Sequence, residues 1–403
     1  MLRYATDDLA TRAYLADEAD EALAHALGGD GFPQRAARLP LLVLEGRWAE
    51  GRELAEALLQ LPRMIAPVGP LEFGAIARAQ GDLVLAWGLV ARHLPAGQAT
   101  PPGDAPFAET LGLLHLAIGL AHDGDDLTAM RAWLDTLDRW IAWSDTLPGG
   151  APGASDRLLA WASYHHALGD RAPGDRALAR TLAEDARAAA AAPRQPLALL
   201  AAERFLGALD TADGTFDAAL AHLHSALDLA AACAAPYERA LTLLRCAELA
   251  LAQATASPAP EAIPAGLRLA GLALDEARAL CAPLGAHPAL ARAAALAERL
   301  ARITLAHAPP PPDTADDAPA ALQAGTAELA LQPNGSAASA AWLTPREGEV
   351  LRLIAGGLSN REIAARLFLS VRTAERHIAN IYKKIGAHSK SDATAFAFNH
   401  GLL

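Results

Sequence analysis

The sequence predicts an all-α protein in which a solenoid of helical hairpins is joined by a flexible linker to a small helical domain at the C-terminus. Three observations support this prediction. Of the 403 residues, 52% are hydrophobic but only 5% are aromatic, and the dominance of Ala and Leu favours helices over strands. Clusters of Gly and Asp recur at a nearly constant interval along the first 305 residues. Residues 343–403 also differ from the rest of the chain in the sign of their charge.

The interval between the Gly/Asp clusters predicts the hairpins. Successive clusters are 43, 45 and 45 residues apart, a period typical of stacked helical hairpins. Proline is tolerated in the first turn of a helix, so Pro196 and Pro236 predict helix starts. The helix after the last cluster should bury an apolar stripe at Phe216, Leu220, Leu223 and Leu227. The clusters centre on Gly81, Gly124, Gly169 and Gly214.

A change of composition marks a linker between the two predicted domains. Residues 309–312 are all proline, and Asp, Gly, Ser and Ala residues follow. Such a proline run is stiff and extended, and the remainder is expected to be flexible. The sequence therefore predicts a repeat domain at 1–305, a Pro/Ala/Gly-rich acidic linker at 306–341 and a C-terminal domain at 342–403.

The net charge of −12 is unevenly distributed along the chain. Residues 343–403 hold nine Lys and Arg against five Asp and Glu, whereas the preceding residues hold 25 against 41. An acidic body with a basic C-terminal region indicates that only this region approaches a polyanion.

Several classes of enzyme are excluded by the position of the lysines, which are Lys383, Lys384 and Lys390. A Walker A loop requires Gly-Lys-Ser/Thr, and a phospho-receiver domain requires its usual lysine, so neither precedes residue 383. Gly-x-Ser-x-Gly and His-Glu-x-x-His motifs are also absent from the sequence. His222 and His224 point about 200° apart around a helix and do not predict a shared metal. We therefore expect no enzyme activity, no cofactor and no metal.

Cysteine usage and hydropathy predict a cytoplasmic protein without a membrane segment. Cys233, Cys246 and Cys281 are odd in number and lack CxxC spacing, which is typical of buried thiols in a reducing compartment. The N-terminus lacks the basic and apolar regions of a signal peptide. The longest apolar run, 111–121, is much shorter than the about 20 residues that cross a bilayer.

The C-terminal region predicts four helices. The sequences Thr344–Glu347 and Ser359–Glu362 are capping boxes, each opening a helix. A third helix is predicted over Ser370–Ile385, and a fourth begins after Ser389 or Ser391. The third helix has an apolar face at Ala374, Ile378, Ile381 and Ile385. Its opposite face carries Arg372, Arg376, Asn380 and Lys383, side chains suited to DNA bases and phosphates in a major groove.

These residues carry a family resemblance. The segments Leu343-Thr-Pro-Arg-Glu347 and Gly357-Leu-Ser-Asn-Arg-Glu-Ile-Ala364 combine with the third-helix residues Thr373, His377 and Lys384. Together they closely resemble the LuxR-type (NarL-like) four-helix DNA-binding domain over residues 343–403. The resemblance implies a helix-turn-helix formed by residues 359–367 and 370–385, with the fourth helix making a homodimer contact.

The resemblance also implies which residues contact double-stranded DNA. In this chain Arg372, Glu375, Arg376 and Ala379 would line the groove, and Asn360, Thr373, Asn380 and Lys383 would lie near phosphates. Arg361, Lys384 and His377 complete the predicted DNA-binding set. For His377, contact with phosphate and packing between helices remain alternatives.

The N-terminal region resembles tetratricopeptide-like repeats, most clearly in Gly214-Thr-Phe-Asp-Ala-Ala-Leu-Ala-His-Leu. It also resembles the helical repeats that precede the same domain in large regulators of the maltose-activator kind. An ATPase module usually comes first in those proteins, whereas this sequence lacks a P-loop. We expect the repeats to be the regulatory input, binding a protein partner, a small-molecule effector or a second copy of the chain. Five aromatic residues either line a ligand pocket or fill the core: Trp133, Trp140, Trp143, Trp161 and Tyr164.

Two functions therefore follow from the sequence. The leading hypothesis is a sequence-specific DNA-binding transcriptional regulator whose repeats sense a partner or ligand. The competing hypothesis is a protein-interaction scaffold in which the repeats are the working part and DNA binding is weak or non-specific.

Overall fold

The computed structural model is helical, without strands, wherever its residues are described. The chain divides into two compact units, residues 1–301 and 302–403. Apart from Ala306, the predicted linker lies outside the described residues, so the predicted domain boundaries stay predictions. The described residues are 9–26, 36–60, 69–144, 153–169, 173–256, 263–306, 345–355 and 358–367, with 374, 375, 378, 379, 381, 382, 387, 390 and 393.

Fourteen α-helices in the described part of residues 9–306 form what we call the N-terminal array. Short 3₁₀ turns lie at Ala36–Arg38, Gly97–Ala99 and Ala282–Leu284. The helices are α1 Leu9–Ala26, α2 Leu39–Leu44, α3 Trp48–Leu58, α4 Gly69–Gln80, α5 Leu83–His93, α6 Phe107–Asp123, α7 Leu127–Ser144, α8 Ala154–Leu168, α9 Pro173–Ala191, α10 Pro196–Asp213, α11 Phe216–Ala232, α12 Pro236–Ala256, α13 Ile263–Cys281 and α14 His287–Ala306.

Successive helices pair into hairpins, as the sequence predicts. The hairpins are α2/α3, α4/α5, α6/α7, α8/α9, α10/α11 and α12/α13, and successive hairpins also pack against one another at α3/α4, α9/α10 and α11/α12. Each predicted turn cluster lies at a turn within a pair. Gly46, Gly81 and Gly214 adopt left-handed φ angles of +77°, +84° and +76°, which glycine reaches without the steric cost of a Cβ atom. At the α6/α7 turn this conformation falls on Asp125 instead of Gly124.

Helix starts in the array follow local chemistry. Asp82 accepts a hydrogen bond from the Leu85 amide at 3.0 Å, and Asp126 accepts one from the Ala129 amide at 2.9 Å. These bonds satisfy amide groups that have no partner within the first helical turn. The prolines at 196 and 236 begin α10 and α12, as predicted.

The apolar stripe of α11 is only partly where the sequence places it. Leu223 and Leu227 are fully buried, but Phe216 and Leu220 are half-buried, and Leu229 and three alanines form the rest of the buried face. The reason is the close approach of α10. A Cβ atom at Gly207 would lie 2.7 Å from Leu223 Cγ. The two helices therefore approach too closely for large side chains along their contact.

The first hairpin of the array packs against the start of α12. The Trp48 ring meets the Tyr237 ring edge-on, with 5.0 Å between centroids. Burial raises the pKa of the Tyr237 hydroxyl to about 12. A Cβ atom at Gly46 would lie 2.8 Å from Pro236 Cγ and 3.3 Å from a Leu284 methyl carbon. The Gly46 turn therefore packs directly against Pro236 and Leu284, which lie far along the chain.

Two further contacts extend this junction. Leu44 shares a buried apolar cluster with Leu197, Cys233 and Ala235. The Gln80 side-chain amide donates a 2.9 Å hydrogen bond to the carbonyl of Leu284, 204 residues later. The array therefore curls back until its first two hairpins meet its last helices.

The cysteines and histidines have structural surroundings. Cys233, Cys246 and Cys281 are buried free thiols, as predicted. His222 pairs with Glu203 at 2.5 Å, and His165 lies 2.6 Å from a carboxylate oxygen of Asp175. In the described ranges no group of three or more His, Cys, Asp or Glu residues is placed to hold a metal ion. No helix there is both long and apolar enough to span a membrane.

The aromatic residues of the third and fourth hairpins fill the core to different degrees. Trp133 and Trp140 are buried, and the Trp140 indole donates a 3.2 Å hydrogen bond to the Thr100 carbonyl. Trp143, Trp161 and Tyr164 are half-buried and pack against the same core. Of the two interpretations, core filling is confirmed for Trp133 and Trp140.

The Gly46 turn gives a test of the junction. We expect Gly46→Ala to destabilise the array by about 1–3 kcal/mol more than the left-handed φ alone would cost, since the new methyl group collides with Pro236. The measurement is urea unfolding of the whole chain followed by far-ultraviolet circular dichroism.

Gly214→Ala is the matched control. Its φ angle of +76° is nearly the same, but nothing lies within 4 Å of the added Cβ. It should cost only the conformational penalty of about 1–2 kcal/mol. Equal losses of unfolding free energy in the two variants would contradict the packing of the Gly46 turn against Pro236.

Candidate nucleic-acid interface

The C-terminal unit is built around a small apolar core. Two helices are described in full, α15 Pro345–Ala355 and α16 Asn360–Leu367. They are followed by a third helical segment, described at residues 374, 375, 378, 379, 381 and 382. The buried core residues are Val350, Leu351, Ile354, Ile363, Ala364, Ala374, Ile378, Ile381, Ala387 and Ala393.

The third helical segment has the apolar face that the sequence predicts, as far as it is described, whereas the predicted opposite face at Arg372, Arg376, Asn380 and Lys383 lies outside the described residues. Ala374, Ile378 and Ile381 are 1%, 7% and 0% exposed and point into the core. Glu375 and Ala379 are exposed. Because residues four apart share a helix face, positions 375 and 379 mark one exposed side of this segment.

The start of α16 is fixed by a complete capping box. Glu362 accepts hydrogen bonds at 2.7 Å from the backbone amide and from the hydroxyl of Ser359. In return, the Glu362 amide donates to Ser359 Oγ at 3.3 Å. This reciprocal pattern confirms the second predicted capping box. Thr344 of the first one lies outside the described residues.

The capping box also sets the protonation of Glu362. The hydrogen bonds from the Ser359 amide and hydroxyl hold the pKa of Glu362 below its usual range, and the charge of Lys390 lowers it further. Hydrogen bonds to the charged form of a carboxyl group favour that form.

Two backbone bonds close the helices of this unit. The Leu358 amide donates to the Leu353 carbonyl at 3.3 Å, and the Ala387 amide donates to the Tyr382 carbonyl at 3.0 Å. A bond from an amide to the carbonyl five residues earlier is typical of a helix C-terminus. These bonds lie at the C-terminal ends of α15 and of the third segment.

Sequence reasoning missed a structural role for Lys390. Its ammonium group donates to the carbonyl of Leu358, in the turn that leads into α16. The contact joins residues 32 positions apart, so no local sequence pattern predicts it. It ties the chain after the third segment to the start of α16.

The predicted DNA-binding residues fall into two groups. The described ones are all exposed: Asn360 and Arg361 at the start of α16, and Glu375 and Ala379 on the third segment. The two pairs thus come from the two helices that the resemblance assigns to the helix-turn-helix. The others lie outside the described residues and stay predictions: Arg372, Thr373, Arg376, His377, Asn380, Lys383 and Lys384.

Comparison with known proteins identifies this unit. The sequence profile of bacterial regulatory proteins of the luxR family matches residues 341–397. The chain is 46% identical to the response regulator Rre1 of Synechocystis sp. over 59 residues, which are 15% of this chain and 26% of that protein. It is 41% identical to the response regulator protein VraR of Staphylococcus aureus over 61 residues, which are 15% of this chain and 29% of that protein. VraR of Staphylococcus saprophyticus gives the same values.

The chain thus spans less than a third of the length of these relatives. The matches establish a LuxR-family helix-turn-helix domain at residues 341–397, homologous to the DNA-binding domains of response regulators. The N-terminal array lies outside the profile match. Its resemblance to tetratricopeptide-like repeats and to maltose-activator regulators remains a prediction.

The capping box predicts a local effect of Ser359→Ala. Loss of the cap should weaken α16 by about 1 kcal/mol, which corresponds to roughly fivefold faster amide exchange in this helix. Hydrogen–deuterium exchange of the whole chain measures it peptide by peptide. Peptides from the array serve as the internal control and should not change.

The same site predicts a pH dependence. Because the pKa of Glu362 is lower in the folded state, its contribution to stability is complete above the usual glutamate pKa of about 4.3. It is lost as pH falls through the lowered value. The protection of the α16 amides, taken relative to the intrinsic exchange rate at each pH, should therefore fall at acidic pH, and Glu362→Gln should remove this dependence. An unchanged pH profile in Glu362→Gln would contradict the assignment.

Proposed function

Because residues 341–397 form a LuxR-family helix-turn-helix domain, we propose that this protein is a sequence-specific transcriptional regulator that binds double-stranded DNA. The observation that carries the proposal is the division of the third helical segment into a buried face at Ala374, Ile378 and Ile381 and an exposed side at Glu375 and Ala379. A helix whose inner face is fixed in a core presents its outer side chains in a constant register to the groove.

The proposed groove contacts divide between bases and phosphates. Arg372 and Arg376 are suited to the acceptors of guanine, and Glu375 to the amino group of cytosine. Asn360 and Arg361, exposed in the first turn of α16, are suited to the backbone. The N-terminus of a helix adds a partial positive charge that favours phosphate.

Charge supports the assignment of DNA binding to this domain. Residues 343–403 carry nine basic and five acidic residues, and the rest of the chain carries 25 and 41. Phosphate neutralisation dominates affinity for DNA, while an acidic surface is repelled by it. The array is therefore proposed to act on DNA binding without touching DNA.

The array is proposed as the regulatory input of a cytoplasmic homodimer. We propose that its paired helices form a tetratricopeptide-like solenoid, whose extended surface suits a protein partner or a small effector. The dimer contact is assigned to the predicted fourth helix by resemblance. The relatives offer no guide to the partner, because their matches cover 15% of this chain.

The alternative is a scaffold in which the array is the working part. This alternative is favoured by the large share of the chain that the array occupies. Selection from random duplexes by the whole chain separates the two functions. A regulator enriches one motif with two-fold symmetry, whereas failure to enrich any motif at low or high salt would favour the scaffold.

Arg376→Ala tests the proposed base contact. Binding to the selected motif should weaken by roughly 1–3 kcal/mol, while binding to random DNA should change little. Arg352→Ala is the control, since this exposed arginine of α15 is not in the proposed interface. Fluorescence anisotropy with both duplexes measures the difference.

The salt dependence distinguishes the two kinds of contact. A lost phosphate contact reduces the log–log slope of affinity against salt by about 0.9, whereas a lost base contact leaves it nearly unchanged. Equal weakening on specific and random DNA would show that Arg376 contacts only the backbone.

A further inference from the structure

The central part of α12 exposes a very narrow strip. From Ala240 to Leu251 every residue is buried except Leu241, Arg245 and Glu248, which are partly exposed and spaced four and three apart. Helices α10, α11 and α13 pack against the other sides of α12. Two of the three side chains that reach solvent are therefore ionised.

One carboxylate in this strip serves two arginines. Glu248 Oε2 accepts from Arg245 Nη1 at 2.8 Å, and Glu248 Oε1 accepts from Nε and Nη2 of Arg292 at 2.9 Å and 2.5 Å. Arg292 comes from α14, so this carboxylate joins two helices. Of the three hydrogen bonds that Glu248 accepts from these two arginines, two come from Arg292.

A third arginine approaches from the other side. Arg204 of α10 donates to Glu238 Oε2 at 2.7 Å, seven residues before Arg245 on the same face of α12. The cluster of Arg204, Arg245, Arg292, Glu238 and Glu248 thus contains three guanidinium groups and two carboxylates.

The surplus charge falls on Arg245. Burial lowers the pKa of Arg245, and the charges of Arg292 and Arg204 lower it further against the opposing effect of Glu248. Even so, 37% of its side chain is exposed. The Arg245 side chain is therefore partly enclosed by protein and partly open to solvent.

The guanidinium of Arg245 retains donors for a ligand. Arginine carries five N–H donors in a planar fork, and among the described residues Arg245 donates through Nη1 to Glu248. A guanidinium pairs with carboxylate or phosphate through two parallel hydrogen bonds, and such a pair neutralises the surplus charge.

We propose that Arg245 binds an oxyanion, the phosphate or carboxylate group of a small molecule, at the strip of α12 between Arg204 and Arg292. Leu241, one turn away, offers an apolar contact to the body of the ligand. A nucleic acid is disfavoured here because the chain before residue 343 carries 41 acidic against 25 basic residues. The site is independent of DNA binding, and its test requires no DNA.

The experiment uses the whole chain with sodium phosphate, sodium acetate and sodium chloride at equal ionic strength. Thermal unfolding should show a saturable rise in midpoint with phosphate or acetate beyond that with chloride, and the more effective anion identifies the ligand group. Arg245→Met should reduce the apparent affinity roughly tenfold or more.

Arg278→Met is the matched control. Arg278 is 38% exposed and pairs with Asp275 three residues away, as Arg245 pairs with Glu248, but on α13. This variant should keep the wild-type response. A response that is equal in wild type and Arg245→Met, lost equally in Arg278→Met, or absent with both anions would overturn the proposal.

The variant also has an expected behaviour without the anion. Removing a surplus cation relieves repulsion, so Arg245→Met should unfold at the same temperature as wild type or higher in chloride. Phosphate or acetate should then reverse the order in favour of wild type. A lower midpoint for Arg245→Met in chloride would contradict the surplus charge and with it the site.

Discussion

The array depends on the contact that brings its first two hairpins onto the start of α12 and the turn before α14. In a simple stack of hairpins each unit touches only its neighbours, so either end unfolds with little effect on the other. Here Trp48 packs on Tyr237, and Gln80 bonds to Leu284 across 204 residues. The entropy of closing such a long loop grows only slowly with its length, so these contacts stabilise at modest extra cost. The junction couples the two ends of the array.

The junction and the neighbouring helices together leave little of the first half of α12 exposed to water. Tyr237 at its start is covered by the first hairpin, and neighbouring helices enclose its sides. The charged groups that remain on its open strip interact more with one another than with solvent, and burial makes each imbalance costly. Because Arg245 and Arg292 share the single carboxylate of Glu248, the positive charge at this position exceeds the negative charge.

The C-terminal unit is stabilised differently. Its core is small and contains several alanines, so each buried side chain supplies less apolar area than a leucine would. Local hydrogen bonds therefore matter more there. The capping box at Ser359 and the bond from Lys390 to Leu358 fix the start of α16 beside the third segment. Both bonds hold the exposed positions 360 and 361 in place relative to the core.

The sequence by itself determined the features that depend on local chemistry. A left-handed turn selects glycine at Gly46, Gly81 and Gly214, and a capping box needs only residues three apart, so hairpins and the start of α16 were predictable. The apolar face of the third segment followed from helical periodicity, and Ala374, Ile378 and Ile381 are buried as predicted.

Only the tertiary structure decided which distant residues meet. The contacts of Trp48 with Tyr237 and of Glu248 with Arg292 depend on the summed angles between successive helices, which no local pattern encodes. The half-buried Phe216 shows the same limit, because the close approach of α10 at Gly207 decided which side of α11 is covered. Periodicity gives a helix its faces, but packing decides what each face meets.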